Sequence, residues 1–243
     1  MKTIKGIWRF SRVICYTFVC LFQAYTRFKR VDRKEKGRML RYYPTQVLKL
    51  AGVRCSYEGN VPELLHECGL TDTPPAYMVL SNHISWLDIF SLDSQLPSRF
   101  IAKAEIAEWP VFGLIAQQIG TLFINRSSKR AILRINDDIR GALCNCEAVT
   151  IFAEGTTTFG NELLPIKANF IAPACEIGAT VQPVILSYKN KGKPTKRAAF
   201  AGDVTLFGSL WNVVTMEDAE VVVHFLEPIT NTKDLTRHEV AKI

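Results

Sequence analysis

Residues 79–92 read VLSNHISWLDIFSL. A short apolar run through Ser81 gives way at once to polar Asn82 and His83, and apolar residues then resume around Asp88 at helical spacing. A strand that ends in a polar turn before a helix is the unit of α/β folds, and such folds build their sites at strand ends. The same grammar recurs along the chain. β-rich runs occupy 53–57, 76–81, 121–124, 149–153, 181–188 and 220–225, with helical patterns at 82–95, 128–146 and 168–177 between them. The expected fold is α/β: a mixed, largely parallel sheet flanked by helices. Pro183, inside the apolar run TVQPVILSY at 180–188, predicts an edge strand or a bulge there. No linker interrupts the pattern after residue 52, so residues 51–243 read as one domain.

The chain has 243 residues, 48% hydrophobic and 22% charged, which excludes wholesale disorder. No fixed period recurs, which excludes collagen, coiled-coil and repeat architectures. The net charge of +7 is unevenly spread. Residues 1–41 carry +10, with Asp32 and Glu35 as their only acids, and the remainder carries −3. Any polyanionic partner belongs at that basic end.

Within it lies the uncharged stretch VICYTFVCLFQAY, residues 13–25, followed by the basic connector RFKRVDRKEKGR and a second, weaker apolar segment, MLRYYPTQVLKLAGV. The first stretch is shorter than the ~20 residues a spanning helix needs. Internal Arg9 and Arg12 and the lack of a small-residue cleavage site disfavour a signal peptide. A soluble core helix pair is the plain alternative. Aromatic and basic residues framing a short apolar core fit best a membrane-dipping helix or hairpin over residues 1–50.

Seven scattered cysteines without a C-x-x-C pair read as reduced thiols. His66, His224 and His238 show no ligand spacing with His83. No metal or cofactor is expected.

The chemistry concentrates in a few blocks. His83 with Asp88 five residues on can place imidazole and carboxylate in hydrogen-bonding reach. The carboxylate would fix the tautomer, and the other ring nitrogen would take a proton from a hydroxyl. No G-x-S-x-G elbow supplies a serine nucleophile, so the pair suits direct attack by a substrate alcohol. Residues 149–158, VTIFAEGTTT, again set a strand before a polar glycine turn, with Glu154, Gly155 and Thr156 at its end. Between the two lies GTLFINR, whose Arg126 can hold an anionic group.

In this order and spacing the blocks resemble the glycerolipid acyltransferase family, typified by 1-acylglycerol-3-phosphate acyltransferases, over roughly residues 50–190. Asn82-His83-Ile84-Ser85-Trp86-Leu87-Asp88 matches the family's N-H-x4-D block. Lys103 through Arg126, with Trp109-Pro110, Phe112-Gly113 and Phe123-Ile124-Asn125-Arg126, looks like the second block. Phe152-Ala153-Glu154-Gly155-Thr156-Thr157 stands for the usual F-P-E-G-T-R, and Val181-Gln182-Pro183-Val184 for the fourth block.

The resemblance implies transfer of a fatty acyl group from acyl-CoA or acyl-carrier protein to a lysolipid hydroxyl, most simply 1-acyl-sn-glycerol-3-phosphate. It makes His83 the general base and Asp88 its orienting partner. Asn82, Lys103, Arg126, Glu154, Gly155, Thr156 and Lys167 become expected substrate-binding residues, and backbone amides near Gly155 or after Ser81 the expected oxyanion donors. Thr157 stands where many members carry an Arg that contacts the acceptor phosphate. The E-G-T-T variant is similar to bacterial members that acylate lyso-ornithine lipid, which is the close alternative. A catalytically dead lipid-binding scaffold is a different one, disfavoured by the intact His83 and Asp88. The implied partners are the lysolipid, the thioester donor and an anionic membrane surface, with no nucleic acid. The implied location is the cytoplasmic face of a bacterial inner membrane.

Overall fold

A computed structural model describes residues 2–61, 76–125 and 129–243. Arg126, His66 and Cys68, and the expected turn at 73–75, lie outside the described residues.

Strand β2 (Met78–Ser81) is buried along its whole length. Met78 and Leu80 enter one apolar cluster and Val79 the other, so the run reads as a continuous apolar strand because both faces are covered. Its neighbours are β5 (Val149–Phe152) and β6 (Val181–Asn190), both parallel to it. Beyond β5 come β3 (Arg99–Lys103) and β4 (Leu122–Ile124), again parallel. Beyond β6 the direction reverses with β8 (Ala219–Phe225), which β1 (Val53–Gly59) follows in parallel. The sheet order is β1-β8-β6-β2-β5-β3-β4, with the two-residue β7 (Lys193–Pro194) on the end of β6. The expected mixed, largely parallel sheet is what the chain forms.

Helices cover both faces. One cluster packs α2 (Arg33–Ala51), α3 (Leu87–Asp93) and α7 (Leu206–Val214) on the sheet through Leu48, Leu87, Leu92 and Val213. The other packs α5 (Lys129–Cys144) and α6 (Ala172–Ile177) through Ile135, Ile139, Leu143 and Ala174. Two smaller helices are α4 (Phe112–Ile119) and α8 (Arg237–Val240).

Pro183 lies in β6 between β2 and β8, so of the two expected settings the edge is excluded and the bulge is found. Pairing runs in register from Val184–Phe225 to Asn190–Ala219 and resumes one residue out of step at Val181–Ile229. The Leu226 amide donates to the Pro183 carbonyl at 3.0 Å, but proline has no N–H to return the bond. The side-chain amide of Gln182 donates instead to the Leu226 carbonyl at 2.7 Å. A buried glutamine next door thus completes the ladder that proline interrupts.

The N-terminal segment forms α1 (Lys2–Gln23), a π-helical turn (Ala24–Phe28) and α2. Among the described residues no helix is long and apolar enough to cross a membrane. Asp32 caps α2 by accepting the Glu35 amide at 2.8 Å, and Gly52 closes it at φ 76°. Arg9 of α1 is buried and donates to the carbonyls of Val214 and Met216 at the end of α7. A Cβ on Gly52 would meet that guanidinium at 2.1 Å. The first two helices are therefore fastened to the body and help to roof its core.

Asp93, at the end of α3, is fully buried, and burial pushes its carboxyl well above the usual range although the Ser98 amide donates to it at 3.0 Å. The native state therefore binds this proton more tightly than the unfolded chain does. Stability is penalised progressively as pH rises from the ordinary carboxylate pKa to the raised one. Asp93→Asn keeps an acceptor for Ser98 and removes the titration. Its melting temperature should exceed wild type by a few degrees at pH 8, with the gap closing towards pH 4. A gap of constant size across that range would show that Asp93 does not titrate as described.

Candidate active site

The carboxyl ends of β2 and β5 converge where His83 and Glu154 follow them. Residues 82–85 are not the first turn of a helix, as the spacing suggested; α3 begins only at Leu87. Asp88 explains the difference. Its Oδ2 accepts the amides of Ile84 at 2.7 Å and Ser85 at 2.9 Å, which holds the segment as a tight loop ahead of the helix. The same oxygen accepts His83 Nδ1 at 2.8 Å. The carboxylate is 0% exposed, and a buried charge needs such donors.

His83 is held by more than Asp88. Its ring stacks on Phe152, centroids 3.8 Å apart and planes 7° from parallel. Its side chain is 19% exposed. With Nδ1–H donating to the carboxylate, Nε2 carries the lone pair, and none of the described residues bonds it. That nitrogen is the one basic atom the pair offers to a substrate.

Neighbouring loops grip the His83 backbone. Glu154 is 4% exposed; its Oε1 accepts the His83 amide at 3.1 Å and its Oε2 the Leu164 amide at 3.3 Å. Thr158 donates its amide to the His83 carbonyl at 2.8 Å, and Phe200 donates to the Ile84 carbonyl at 2.8 Å. Thr157 Oγ1 donates to the Phe200 carbonyl. Asn82 acts on the other side. Its amide donates to the Leu186 carbonyl at 3.0 Å and accepts the Leu186 N–H at 2.7 Å, extending the ladder between β2 and β6 by one side chain.

So Asn82 and Glu154, expected as substrate contacts, use their polar atoms inside the scaffold. The expected oxyanion amides are also engaged. Those of His83, Ile84 and Ser85 go to carboxylates, and that of Gly155 goes to the Phe152 carbonyl at 3.0 Å. Gly155 itself sits at φ 74°, which turns the chain sharply after β5. Thr156 follows it, exposed. Lys103 is exposed at the end of β3, and the Lys167 amide donates to the Ala153 carbonyl, beside Glu154. Lys103 thus ends a strand parallel to β5 on the side where β2 and β5 also end, and the Lys167 backbone lies beside the turn after β5.

Residues 55–187, more than half of the chain, match the family described as Acyltransferase. The chain belongs to the acyltransferase family. The chain is 43% identical over 154 residues to a 1-acyl-sn-glycerol-3-phosphate acyltransferase of Neisseria gonorrhoeae, covering 63% of this chain and 60% of that one. It is 39% identical over 163 residues to a lyso-ornithine lipid O-acyltransferase of Pseudomonas aeruginosa, covering 67% and 62%. The matches thus span about three-fifths of the length of these relatives. The crystal structure of the 1-acyl-sn-glycerophosphate acyltransferase PlsC of Thermotoga maritima shares the fold, with a TM-score of 0.68 at 18% identity over 100% of this chain and 92% of that one.

Sequence reasoning missed three parts of the candidate site: the stacking Phe152, the loop around Phe200, and Tyr188. Tyr188 donates its hydroxyl to Asp88 Oδ1 at 2.6 Å. Burial and the Asp88 charge push its phenol well up, so it stays a donor. A signal did exist for it. Val184, Leu186 and Tyr188 alternate on the buried face of β6, and a buried tyrosine hydroxyl requires a partner.

Proposed function

We propose that the protein moves a fatty acyl group from acyl-CoA or acyl-carrier protein to the free hydroxyl of a lysolipid, 1-acyl-sn-glycerol-3-phosphate, giving phosphatidic acid. The observation that carries this is the His83–Asp88 pair, with Nδ1 committed to the carboxylate and Nε2 open. Nε2 takes the acceptor's hydroxyl proton. The oxygen attacks the thioester carbonyl, the C–S bond breaks, and the leaving thiolate recovers the proton from the imidazolium. No covalent enzyme intermediate is required. The Thr156 and Thr157 amides, which follow the turn at Gly155 and are not bonded by other described residues, are the oxyanion donors in this reading. Lys103, Arg126 and Lys167 bind headgroup or donor phosphates, and Thr156 borders the acceptor. Asn82 and Glu154 act by fixing the His83 loop.

One observation favours a second acceptor. Thr157 replaces the family's arginine, and its hydroxyl is already given to Phe200. No cation stands at that position, which suits a lyso-ornithine headgroup, the acceptor class named for the Pseudomonas relative. Purified protein offered both lysolipids, with acyl-CoA and acyl-carrier protein in turn, decides by mass spectrometry. Phosphatidic acid as the main product is expected. Acylation of lyso-ornithine lipid alone would replace the first acceptor by the second. Release of free fatty acid without any acylated acceptor would overturn transferase function altogether.

Residues 1–50 serve in this reading as a membrane-anchoring helical segment and residues 51–243 as the acyltransferase domain, at the cytoplasmic face of a bacterial inner membrane. The outward face of α1 supports this. Ile4, Ile7, Trp8, Phe18, Val19 and Phe22 are exposed there, Phe22 by 63%, while Val13 and Ala24 are buried against the body. Arg12 lies 4.1 Å over the Trp8 ring, at the polar margin of that face. Phe207 and Trp211 of α7 are also exposed and meet Phe10, which extends the apolar face of α1 onto α7. An amphipathic face rimmed by bases lies in the membrane interface rather than across it. Phe18→Glu with Phe22→Glu should lower binding to phosphatidylglycerol vesicles at least ~10-fold, each buried aromatic being worth about 1.5–3 kcal/mol. Turnover of a water-soluble short-chain acceptor should be unchanged. Undiminished co-sedimentation of the double variant would refute the anchor.

A further inference from the structure

We infer that Tyr188 is a positioning residue for acyl transfer, fixing the orientation and charge distribution of Asp88 against His83. The inference rests on the proposed general-base role of His83. The two oxygens of Asp88 are used unequally. Oδ2 receives three donors: His83 Nδ1, the Ile84 amide and the Ser85 amide. Oδ1 receives one among the described residues, the Tyr188 hydroxyl at 2.6 Å. That bond closes the set, because a carboxylate held at one oxygen alone can swivel about its own axis. A swivel would carry Oδ2 away from Nδ1 and leave the imidazole free to turn or change tautomer.

The strand that carries Tyr188 makes the arrangement stiff. Two residues earlier on β6, Leu186 exchanges two hydrogen bonds with the Asn82 side chain, immediately before His83. Residues 186 and 188 point to the same face, as strand period requires, and both are buried. One strand therefore holds the loop at both ends, at Asn82 by its backbone and at Asp88 by a phenol.

The bond also sets how strongly Asp88 pulls on the imidazole. A donor on Oδ1 draws negative charge away from Oδ2. Removing it leaves more of that charge on Oδ2 to stabilise the imidazolium, so more acid-side protonation must be reversed before Nε2 can act. Among the described residues, ionisable groups near the pair include Glu154, which accepts the His83 amide, and Cys55 of β1, which neighbours Tyr188. Both remain unchanged when only the phenol is altered.

The test is the pH profile of kcat/KM for full-length enzyme. Tyr188→Phe should move its acid limb up by about 0.5–1 pH unit, the scale on which one hydrogen bond to a charged group acts. It should lower kcat about 10-fold and change KM for either substrate less than about two-fold, because the phenol touches neither substrate. Site-specific 3,5-difluorotyrosine at position 188 keeps the shape, donates more strongly, and should move the limb the opposite way. If Tyr188→Phe does not fold, the fluorinated protein alone decides. An acid limb unmoved in every variant that folds would overturn the inference and leave Tyr188 a packing residue. Retention of wild-type rates by His83→Ala would instead sink the underlying general-base reading, so the two failures are separable.

Discussion

His83→Ala should lose about 10²- to 10⁴-fold in kcat, the usual contribution of a positioned general base. That corresponds to about 2.7–5.4 kcal/mol of transition-state stabilisation. The substitution removes Nε2, the only basic atom that the pair presents outward. It should not unfold the chain. The backbone around His83 is held through its amide by Glu154 and through its carbonyl by Thr158, and neither bond needs the ring. What is lost besides the base is the stack on Phe152, a contact worth about 0.5–1.5 kcal/mol. Melting should therefore fall by only a few degrees while turnover falls by orders of magnitude. Near-wild-type transfer by a well-folded His83→Ala protein would remove His83 from the chemistry.

Asp88 should separate charge from shape. Asp88→Asn can keep its amide oxygen towards His83, Ile84 and Ser85 and turn its NH2 to the Tyr188 oxygen, which is able to accept. The fold should persist, but the imidazolium formed during proton transfer would face a neutral group. A loss of roughly 10²–10⁴-fold in kcat is expected, by analogy with the ~10⁴ cost of neutralising the aspartate of a serine-protease triad. Asp88→Ala should do something different. It strands the buried donors of Ile84, Ser85 and Tyr188, each costing about 1–3 kcal/mol, and should destabilise the protein by several kcal/mol. Urea denaturation and single-turnover rates on both variants make the comparison. If Asp88→Asn turned over like wild type, the carboxylate would be a loop brace and no more.

Much of the fold was legible because its strands are short apolar runs closed by polar turns. The run at 149–153 became β5 and the run at 181–188 became β6, and both lie parallel beside β2 as alternation with helices requires. Strand β3 was not legible. Arg99-Phe100-Ile101-Ala102-Lys103 is a β-capable run bounded by charges, and its pairing with β4 and β5 comes from the sheet and not from its own pattern. Pro183 was legible only as an edge or a bulge, and the sheet chose the bulge. Its missing N–H is a local fact, but the Gln182 side chain that replaces it acts on Leu226, 44 residues away in sequence.

The site divides in the same way. His83 and Asp88 are five residues apart, and a spacing that short constrains geometry almost by itself, so the sequence alone determined that an imidazole–carboxylate pair was available. It also determined the asymmetry of charge and the apolar N-terminal run. Tertiary structure alone decided what supports the pair. Phe152 under the ring, Glu154 on the amide, Phe200 on the loop and Tyr188 behind the carboxylate arrive from positions about 70 to 115 residues further along the chain. It also decided that α1 is fastened through Arg9 to the end of α7 instead of hanging free. The physical reason is common to all of these. A buried charge or hydroxyl must find its partners wherever packing brings them, and packing is a property of the whole sheet and its helices, not of any stretch of sequence.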